Sequence, residues 1–439
     1  MSKSKPYSAV PVNRVVLEQL TRGRAGQEVV VGFDIGKFEI LAVLRWGNND
    51  FNRPWRILYP EQVHDLIGVL VQLGQGRQLR VALEPSGTCG DPLRQACHDA
   101  GLSAWRVSPK AAHDYAEIFD GVPSQHDGKD AAVVAELAAL GKATAWPYKV
   151  KSAWEQKLAY WVDCLEAQRQ LLVVWAGRLE GQLARHWPEA TRVLKVTKAT
   201  LLRALIHYGG PADLAADEQA EARLARWGGP WLGAEKLQRL LQGARNSIGI
   251  RQGEIEKQRL QEYAAQALEA RQQMRRSQRE LAKLVGQQPV LQAQARVVGS
   301  ATAAVLWASV GDPRDHGCGQ AYRKAMGLNL TEYSSGTKQG ELHISKRGNA
   351  QTRRWLYLAA LRLAKKAGVR EWCQAKKERD KQEAKRAVVG VMRKVVLAPY
   401  QVGAKGATFE VGRLFPGRGQ ARAEQGTAKR KAEGAGAGQ

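Results

Sequence analysis

Four acidic residues in the first third of the chain are spaced so that they could bind divalent cations. Asp34 closes the apolar run EVVVGFDIG and Glu84 closes LRVALEPSG, while Asp127 and Asp130 stand three apart in DGKDAAVVAELAAL. Residues three apart share one face of a helix. If the two runs are neighbouring strands and the helix crosses their ends, the four carboxylates converge.

Carboxylates held this close repel one another in a medium of low dielectric, so such a cluster needs cations or raised pKa values. Two Mg²⁺ ions bridging a phosphate would clamp the entering and leaving oxygens of a displacement at phosphorus. Each acid alone also has a plainer explanation, as a turn former after a strand or as a helix cap. The joint order of Asp, Glu and DxxD is more demanding, and it is the arrangement of RuvC-type nucleases with an RNase H-like fold.

A second candidate group is the serine pair in TEYSSGTKQGELHISKRGN, residues 331–349. Ser334 and Ser335 precede Gly336 in a polar segment. The cations that follow them along the chain are Lys338, Lys346, Arg347, Arg353 and Arg354. A hydroxyl among phosphate-binding cations is placed to attack phosphorus, because Lys and Arg stabilise the developing charge. The alternative is that both serines only hydrogen-bond the loop or a phosphate. Spacing does not show which of the two adjacent serines would be the nucleophile.

The segments that carry the acids predict an α/β domain. Composition and spacing assign strands at 28–36, 38–46, 55–59 and 79–87, and helices at 61–74 and 127–140. Strands followed by an alternation of strand and helix are typical of a mixed sheet.

From about residue 150 the pattern becomes helical. A near-heptad stripe comprises Trp154, Leu158, Trp161, Leu165, Leu172, Trp175 and Leu179. A second stripe, from Leu237 to Leu281, predicts another long helix that Gly243, Gly249 and Gly253 weaken. Two such helices joined by an insert at 209–233 predict an antiparallel coiled-coil hairpin, which would act as a spacer or as an oligomerisation arm.

The charge is large and unevenly distributed. The chain has 67 Lys+Arg and 42 Asp+Glu, a net charge of +25, which indicates a polyanionic partner such as nucleic acid. Residues 27–140 carry 10 Lys+Arg and 15 Asp+Glu, a net of −5, whereas residues 341–400 carry 16 and 5, a net of +11. The acidic residues of 27–140, in an otherwise basic protein, would be suited to binding divalent cations. The basic segment 341–400 could instead be a solvated helix face.

Composition also excludes several classes of protein. The 44 glycines show no collagen period, and no apolar run reaches the roughly 18 to 20 residues of a membrane helix. The first residues lack the apolar stretch of a secretory signal, so a cytoplasmic protein without membrane association is expected. The five cysteines stand singly, without zinc spacing, and are expected to be free thiols.

These motifs resemble those of the DEDD transposases of insertion sequences, the bridge-RNA-guided serine recombinases. The similarity spans about residues 28–400 and is carried by FDIGK, ALEPSG, DGKDAA, MGLN, SSGTK and HISKRGNAQTRRWL. It implies an α/β RuvC-like (RNase H-like) domain, a helical coiled-coil hairpin and a mostly α C-terminal transposase domain. The expected divisions are a flexible arm at 1–26, the RuvC-like domain at 27–148, the coiled coil at 149–290, the transposase domain at 291–400 and a disordered basic tail at 401–439.

The resemblance further implies that Asp34, Glu84, Asp127 and Asp130 bind Mg²⁺ and that Ser335 forms a phosphoserine link to DNA on the way to a Holliday junction. The five cations listed above would bind nucleic acid. The implied partners are a guide RNA, a donor duplex, a target duplex and further copies in a tetramer, at the bacterial nucleoid. Two alternatives stay open: a RuvC-type junction nuclease that uses water, and a nucleic-acid-binding scaffold without enzymatic activity.

Overall fold

The computed structural model describes residues 9–85, 87–121, 127–335, 338–380 and 383–415. The chain divides after Val150 into two units. The first is a mixed α/β domain and the second is mostly helical. No helix within the described ranges combines the length and the apolar character needed to cross a bilayer.

The described residues of the first unit form seven strands and five α-helices. The strands are β1 Val10–Pro11, β2 Glu28–Ile35, β3 Glu39–Trp46, β4 Trp55–Leu58, β5 Gln78–Leu83, β6 Ala104–Arg106 and β7 Thr144–Ala145. The helices are α1 Leu17–Thr21, α2 Val63–Gly74, α3 Asp91–Asp99, α4 Pro109–Asp120 and α5 Asp127–Ala139.

The seven strands form one sheet in the order β1-β4-β3-β2-β5-β6-β7. β2 is antiparallel to β3 and parallel to β5, so the sheet is mixed, as the sequence predicts. Because side chains alternate along a strand, Val29, Val31 and Phe33 of β2 pack with α2 and α3 on one face. Val30 packs with α5 on the other face, and helices therefore cover both sides of the sheet.

The expectation of a flexible N-terminal arm is wrong for the described residues 9–26. Val10 and Pro11 pair in parallel with β4, and the side chain of Val12 is buried in the core under α2. Val12 and Val15 supply apolar surface that a polar arm would lack, which explains why this short segment packs. Residues 1–8 lie outside the described ranges.

The second unit contains fifteen helices and one hairpin within its described residues. The helices are α6 Ala153–His186, α7 Pro188–Val193, α8 Ala199–Tyr208, α9 Pro211–Ala216, α10 Ala220–Gly228, α11 Ala234–Arg245, α12 Glu254–Gly286, α13 Pro289–Val298, α14 Ser300–Val310, α15 Gly319–Ala325, α16 Ala350–Leu363, α17 Ala367–Arg379, α18 Ala384–Val395, α19 Leu397–Lys405 and α20 Val411–Leu414. The hairpin pairs β8 Leu330–Ser335 with β9 Lys338–Ile344.

The two longest helices, α6 and α12, pack along each other. A capping box at Ser152 and Glu155 starts α6, since each residue's side chain accepts a hydrogen bond from the other's backbone N–H. The second long helix starts at Glu254 and not near Leu237, which corrects the prediction. Gly249 and Gly253 fall in the connection before α12. The helices α7 to α11 form a small core with the C-terminal end of α6 and the N-terminal end of α12.

The N-terminal end of α6 and the C-terminal end of α12 share a core with the helices from α13 onward. The expectation of a disordered tail from residue 401 is wrong as far as residue 415, because α19 continues to Lys405 and the side chain of Phe415 is buried. Phe415 packs edge-on against Trp372, with ring centroids 5.4 Å apart. Residues 416–439 lie outside the described ranges.

Candidate active site

The parallel pairing of β2 and β5 brings Asp34 and Glu84 to the same edge of the sheet. Phe33 pairs with Leu83 in this register, so Asp34 and Glu84 follow at one level. Asp34 is half-buried, and the alternation of side chains turns it to the face that α5 covers. The condition that these two strands are neighbours is met.

Gly32 lets α5 approach β2 closely enough to reach Asp34. A Cβ atom at this position would lie 2.3 Å from the carbonyl oxygen of Ala131 and 2.4 Å from the backbone nitrogen of Ala135. Only a residue without a side chain fits this contact. The spacing between the helix and the sheet is therefore set at the turn of α5 next to the acids.

Replacing Gly32 by Ala is expected to destabilise the α/β domain by about 1 to 3 kcal/mol and to weaken Mg²⁺ binding, because α5 must move outward and carry Asp130 with it. Urea unfolding and a Mg²⁺ titration measure the two effects. Gly68→Ala in α2 is the matched control, since its Cβ meets nothing within 4 Å and should stabilise the helix slightly. Equal stabilities for the two variants would contradict this account.

Two ion pairs of α5 hold its position. The Lys129 ammonium, with 1% of its side chain exposed, lies 2.6 Å from a carboxylate oxygen of Asp120 at the end of α4. Further along, the Arg45 guanidinium of β3 donates to the carboxylate of Glu136. Removal of one partner from such a pair leaves a buried charge uncompensated, so both pairs restrain α5 against the sheet.

The start of α5 completes a cluster of three carboxylates. One oxygen each of Asp34, Asp127 and Asp130 lies within 4.8 Å of the others. Asp127 is exposed, whereas Asp34 and Asp130 are half-buried, so the cluster opens to solvent on one side. Three of the four predicted acids thus meet.

Glu84 lies at the border of this cluster. It does not belong to the group of three within 4.8 Å. Burial and the neighbouring Asp130 carboxylate nevertheless raise its pKa, and its charge contributes to the raised pKa of Asp34. The fourth acid is therefore coupled electrostatically to the other three.

The pKa of Asp34 is strongly raised. Burial, followed by the charges of Asp127, Asp130 and Glu84, raises its pKa from 3.8 to about 6. Carboxylate oxygens are the ligands that Mg²⁺ prefers, and a cation relieves the repulsion that raises this pKa. The donor set and its spacing fit a divalent cation.

Removing cations is expected to make the stability of the α/β domain fall as the pH rises through 6. Asp34 has a higher pKa in the folded chain than in the unfolded one, so its stabilising contribution is present below pH 3.8 and lost above 6. After allowance for solvent screening, the loss is about 1 to 2 kcal/mol. In EDTA, Asp34→Asn should remove the part of this pH dependence that Asp34 contributes and leave a smaller part due to Glu84.

Urea unfolding between pH 4 and 8, followed by hydrogen exchange of the β2 amides, tests this expectation. Glu61→Gln, an exposed acid of the same domain, is the control and should keep the wild-type profile. A wild-type stability that is flat across pH 6 in EDTA would contradict it.

The serine pair lies in the second unit, at the tip of the hairpin of β8 and β9. The strand register shifts between Tyr333 and Ser335, which places Ser334 at an irregularity. The Ser334 hydroxyl donates to Glu332 at 2.9 Å and accepts from the backbone N–H of Gly340 at 3.2 Å. Ser334 therefore has a structural task in the hairpin, whereas the side chain of Ser335 lies outside the described part of the structure.

A tight turn after the hairpin presents Lys346 and Arg347. Both are exposed, and Lys346 has a positive φ of 54°. Gly348 allows the close approach, since a Cβ there would lie 2.5 Å from the backbone nitrogen of Gly327. Asn349 then caps α16 by accepting hydrogen bonds from two backbone N–H groups.

The other predicted phosphate ligands differ in their surroundings. Arg353 donates to the carbonyl oxygen of Gly348 at 2.7 Å, and Arg354 pairs with Glu166 of α6. Arg353 thus holds the turn, and Arg354 holds α16 against α6. For Lys338 only the backbone, paired with Ser335, is described.

Sequence reasoning missed the residues that support the site. Lys129 sits between the two acids of DGKD, and Gly32 interrupts a run of β-branched residues. A lysine inside an acidic motif and a glycine inside a buried strand are the signals that would have indicated a buried ion pair and a close helix.

Comparison with known families agrees with part of this picture. Residues 291–374 match the model described as Transposase IS116/IS110/IS902 family. The matched segment includes the hairpin, the turn and α16, so the part of the second unit that carries the serine pair is similar to this transposase family. No curated protein matches the chain.

Proposed function

We propose that this chain is an RNA-guided DNA recombinase that joins donor and target DNA through a phosphoserine intermediate and a Holliday junction. The cluster of Asp34, Asp127 and Asp130 carries the proposal, because three carboxylates within 4.8 Å of one another repel and fit cations that act on phosphate. The transposase match of residues 291–374 supports DNA as the substrate.

Asp34, Asp127 and Asp130 would hold Mg²⁺, with Glu84 as the fourth acid at the border of the site. Bound there, Mg²⁺ would supply positive charge to the phosphate and Lewis acidity at its oxygens. Burial, followed by the charges of the neighbouring acids, raises the pKa of Asp34, and a bound cation would relieve the repulsion.

Ser335 would supply the nucleophile. Its oxygen forms a bond to phosphorus as the bond from phosphorus to the 3′ oxygen breaks, and the serine proton ends on the released 3′-hydroxyl. The phosphodiester energy is retained in the phosphoserine bond, so no nucleotide cofactor is needed for resealing.

The exposed Lys346 and Arg347 would contact backbone phosphates, which positions DNA without reading its sequence. Lys338, Arg353 and Arg354 complete the proposed set, although the two arginines already donate within the protein. Sequence would be read by base pairing to a guide RNA, a division of labour used by other guided systems.

Two duplexes require several strand events, so we propose a tetramer, a dimer of dimers, acting at the bacterial nucleoid. The acids and the serine belong to different units of the chain, which agrees with a site assembled from more than one copy. The helices α6 and α12 are long enough, at 34 and 33 residues, to serve as an exchange arm.

The direct test uses the wild-type protein co-expressed with the DNA that flanks its reading frame. Incubation with labelled donor and target duplexes in Mg²⁺ should yield recombined DNA and a labelled band that shifts on a denaturing gel and disappears with protease. EDTA should prevent both products. Recombination without any protein-linked DNA would contradict the serine mechanism.

A metal-dependent junction nuclease is the second candidate. Its supporting observation is that all four acids lie within one unit, between residues 34 and 130, so hydrolysis by water would need nothing from the serine hairpin. A nuclease would leave hydrolysed ends and no protein-linked DNA.

A further inference from the structure

A short loop with the sequence MGLN joins α15 to β8 in the second unit. The side chains of Met326 and Leu328 are buried in the core of the C-terminal helices, which anchors the loop. Gly327 has a φ of 68°, and a Cβ atom there would lie 2.7 Å from Nη1 of Arg353. The backbone of this loop is therefore closely packed against an arginine.

Two further arginines, from different helices, are attached to Leu328 of this loop. The carbonyl oxygen of Arg323 in α15 accepts a hydrogen bond from the backbone N–H of Leu328 at 3.4 Å. The Nε atom of Arg393 in α18 donates to the carbonyl oxygen of Leu328 at 3.0 Å. Burial, followed by the charge of Arg323, lowers the pKa of Arg393, as expected for two guanidinium groups held near each other.

Neither arginine has an acidic partner among the described residues. The Arg323 side chain makes no hydrogen bond within that part of the chain, and Arg393 uses only its Nε atom. The Nε atom of Arg323 is buried, but the two Nη atoms of each arginine are not, so they are accessible to a ligand. Arg354, in contrast, is half-buried and pairs with Glu166. Two like charges without a carboxylate repel each other, and an anion between them would relieve this repulsion.

The positive surface continues along the loop. The backbone N–H of Lys346 donates to the carbonyl oxygen of Gly327 at 3.1 Å, which ties the exposed turn of Lys346 and Arg347 to the same segment. Nη1 of Arg353 lies 3.5 Å from the carbonyl oxygen of Met326, while its Nη2 atom has no partner in the described ranges. A row of cations along one loop fits a polyanion with regularly spaced charges better than it fits a single small anion.

We propose that Arg323 and Arg393 together bind a backbone phosphate of duplex DNA, beside the phosphates that Lys346 and Arg347 would contact. Guanidinium groups are planar and present several N–H donors, which suits them to the oxygens of a phosphate. The contact would position the duplex without reading its sequence. Neither Arg323 nor Arg393 belongs to the set of cations that the sequence motifs indicated.

Duplex DNA is the expected ligand for two reasons. Arg323 lies within residues 291–374, which are similar to a transposase family. In addition, β8, which carries the serine pair, starts two residues after Leu328 and spans six residues, or about 20 Å. About six base pairs of B-form DNA cover that distance, so a duplex that lies along the hairpin would reach both its tip and these arginines. The choice of DNA rests on the proposed function, whereas the anion site rests on the loop and its arginines alone.

The test is fluorescence anisotropy of the full chain with a labelled duplex of about 20 base pairs, in EDTA and over a series of salt concentrations. Arg323→Gln is expected to weaken binding about tenfold at low salt and to reduce the slope of log affinity against log salt by about 1. The loss should be the same for duplexes of different sequence. Arg323→Lys keeps the charge and should stay within about threefold of wild type with an unchanged slope.

Thermal unfolding separates a binding role from a structural one. Because the Arg323 side chain has no hydrogen-bond partner among the described residues and repels Arg393, Arg323→Gln should unfold at the wild-type temperature or above. Arg314→Gln is the matched control, since Asp312 already neutralises this arginine at 2.6 Å, and DNA affinity should not change. A lower unfolding temperature of Arg323→Gln with unchanged DNA affinity would overturn the proposal.

Arg393→Gln gives an independent measurement and should show a similar loss of affinity and slope. Because both arginines would contact one phosphate, the double variant should bind more tightly than the product of the two single losses predicts, and fully independent losses would contradict a shared site. RNA of the same length is the alternative ligand, and a loss confined to RNA would contradict binding of duplex DNA here. Binding in EDTA involves neither the serine nor a bound cation, so its failure leaves the recombinase proposal standing. Absence of a protein–DNA adduct, in turn, leaves this phosphate site standing.

Discussion

Ser335→Ala is expected to abolish the protein–DNA adduct and to reduce strand joining to the background level. The hydroxyl at this position is the proposed nucleophile, and alanine has no atom that can bond to phosphorus. Denaturing gels with labelled donor DNA measure the adduct, and sequencing of the joined products measures recombination. DNA binding should stay within about twofold of wild type, since phosphate contacts come from other residues.

Ser334→Ala is the matched control for this prediction. The Ser334 hydroxyl is engaged with Glu332 and Gly340 inside the hairpin, so its loss should cost about 1 kcal/mol of local stability and leave the adduct detectable. If Ser334→Ala removed the adduct and Ser335→Ala kept it, the two roles would be exchanged. If Ser335→Ala still cut DNA at the wild-type rate, the nuclease that uses water would be the better account.

Asp130→Asn should reduce strand cleavage by about 10²- to 10³-fold or more. Asp130 lies in the group of three carboxylates and also raises the pKa values of Asp34 and Glu84, so its charge affects two other acids of the site. A loss of this size is typical when one preorganised charge that stabilises a transition state is removed. Cleavage rates measured over a range of Mg²⁺ concentrations should show a higher Mg²⁺ requirement as well as a lower maximum.

A loss of cleavage in Asp130→Asn should not result from a loss of folding. Replacing one of several repelling carboxylates by a neutral amide of the same shape relieves repulsion, so thermal unfolding of Asp130→Asn should occur at the wild-type temperature or above. Asp114→Asn in α4 is the control, because this surface acid pairs with Lys110 away from the cluster and should keep full activity. Full activity of Asp130→Asn would exclude a catalytic role for the cluster, and a DNA- or RNA-binding scaffold would then be favoured.

The local elements of the α/β domain could be predicted because their signals are local. The β-branched run at 28–36 and the Ala-rich run at 127–140 closely correspond to β2 and α5. The predictions were wrong for segments in which only a few residues indicate packing. The described part of the first 26 residues, and residues 401–415, pack through a handful of apolar side chains such as Val12 and Phe415 that composition alone does not weigh.

The sequence also misplaced the start of the second long helix. The heptad-like spacing continues from α11 across Gly249 and Gly253 into α12, so periodicity alone joins two helices that the structure separates. A Cβ at Gly249 would lie 2.1 Å from the carbonyl oxygen of His186, and this contact folds the connection against the end of α6. Such a contact between residues 63 positions apart leaves no trace in local spacing.

By itself the sequence determined the candidate chemistry: four acids, two adjacent serines, a basic C-terminal region and the strands and helices that carry them. The tertiary structure decided that Asp34, Asp127 and Asp130 meet while Glu84 stays at the border, that Arg354 pairs with Glu166, and that Lys129 is buried. The physical reason is that residue type and periodicity depend on neighbours along the chain. Contacts between distant residues depend on strand register and on how closely helices can pack, as Gly32 permits for α5.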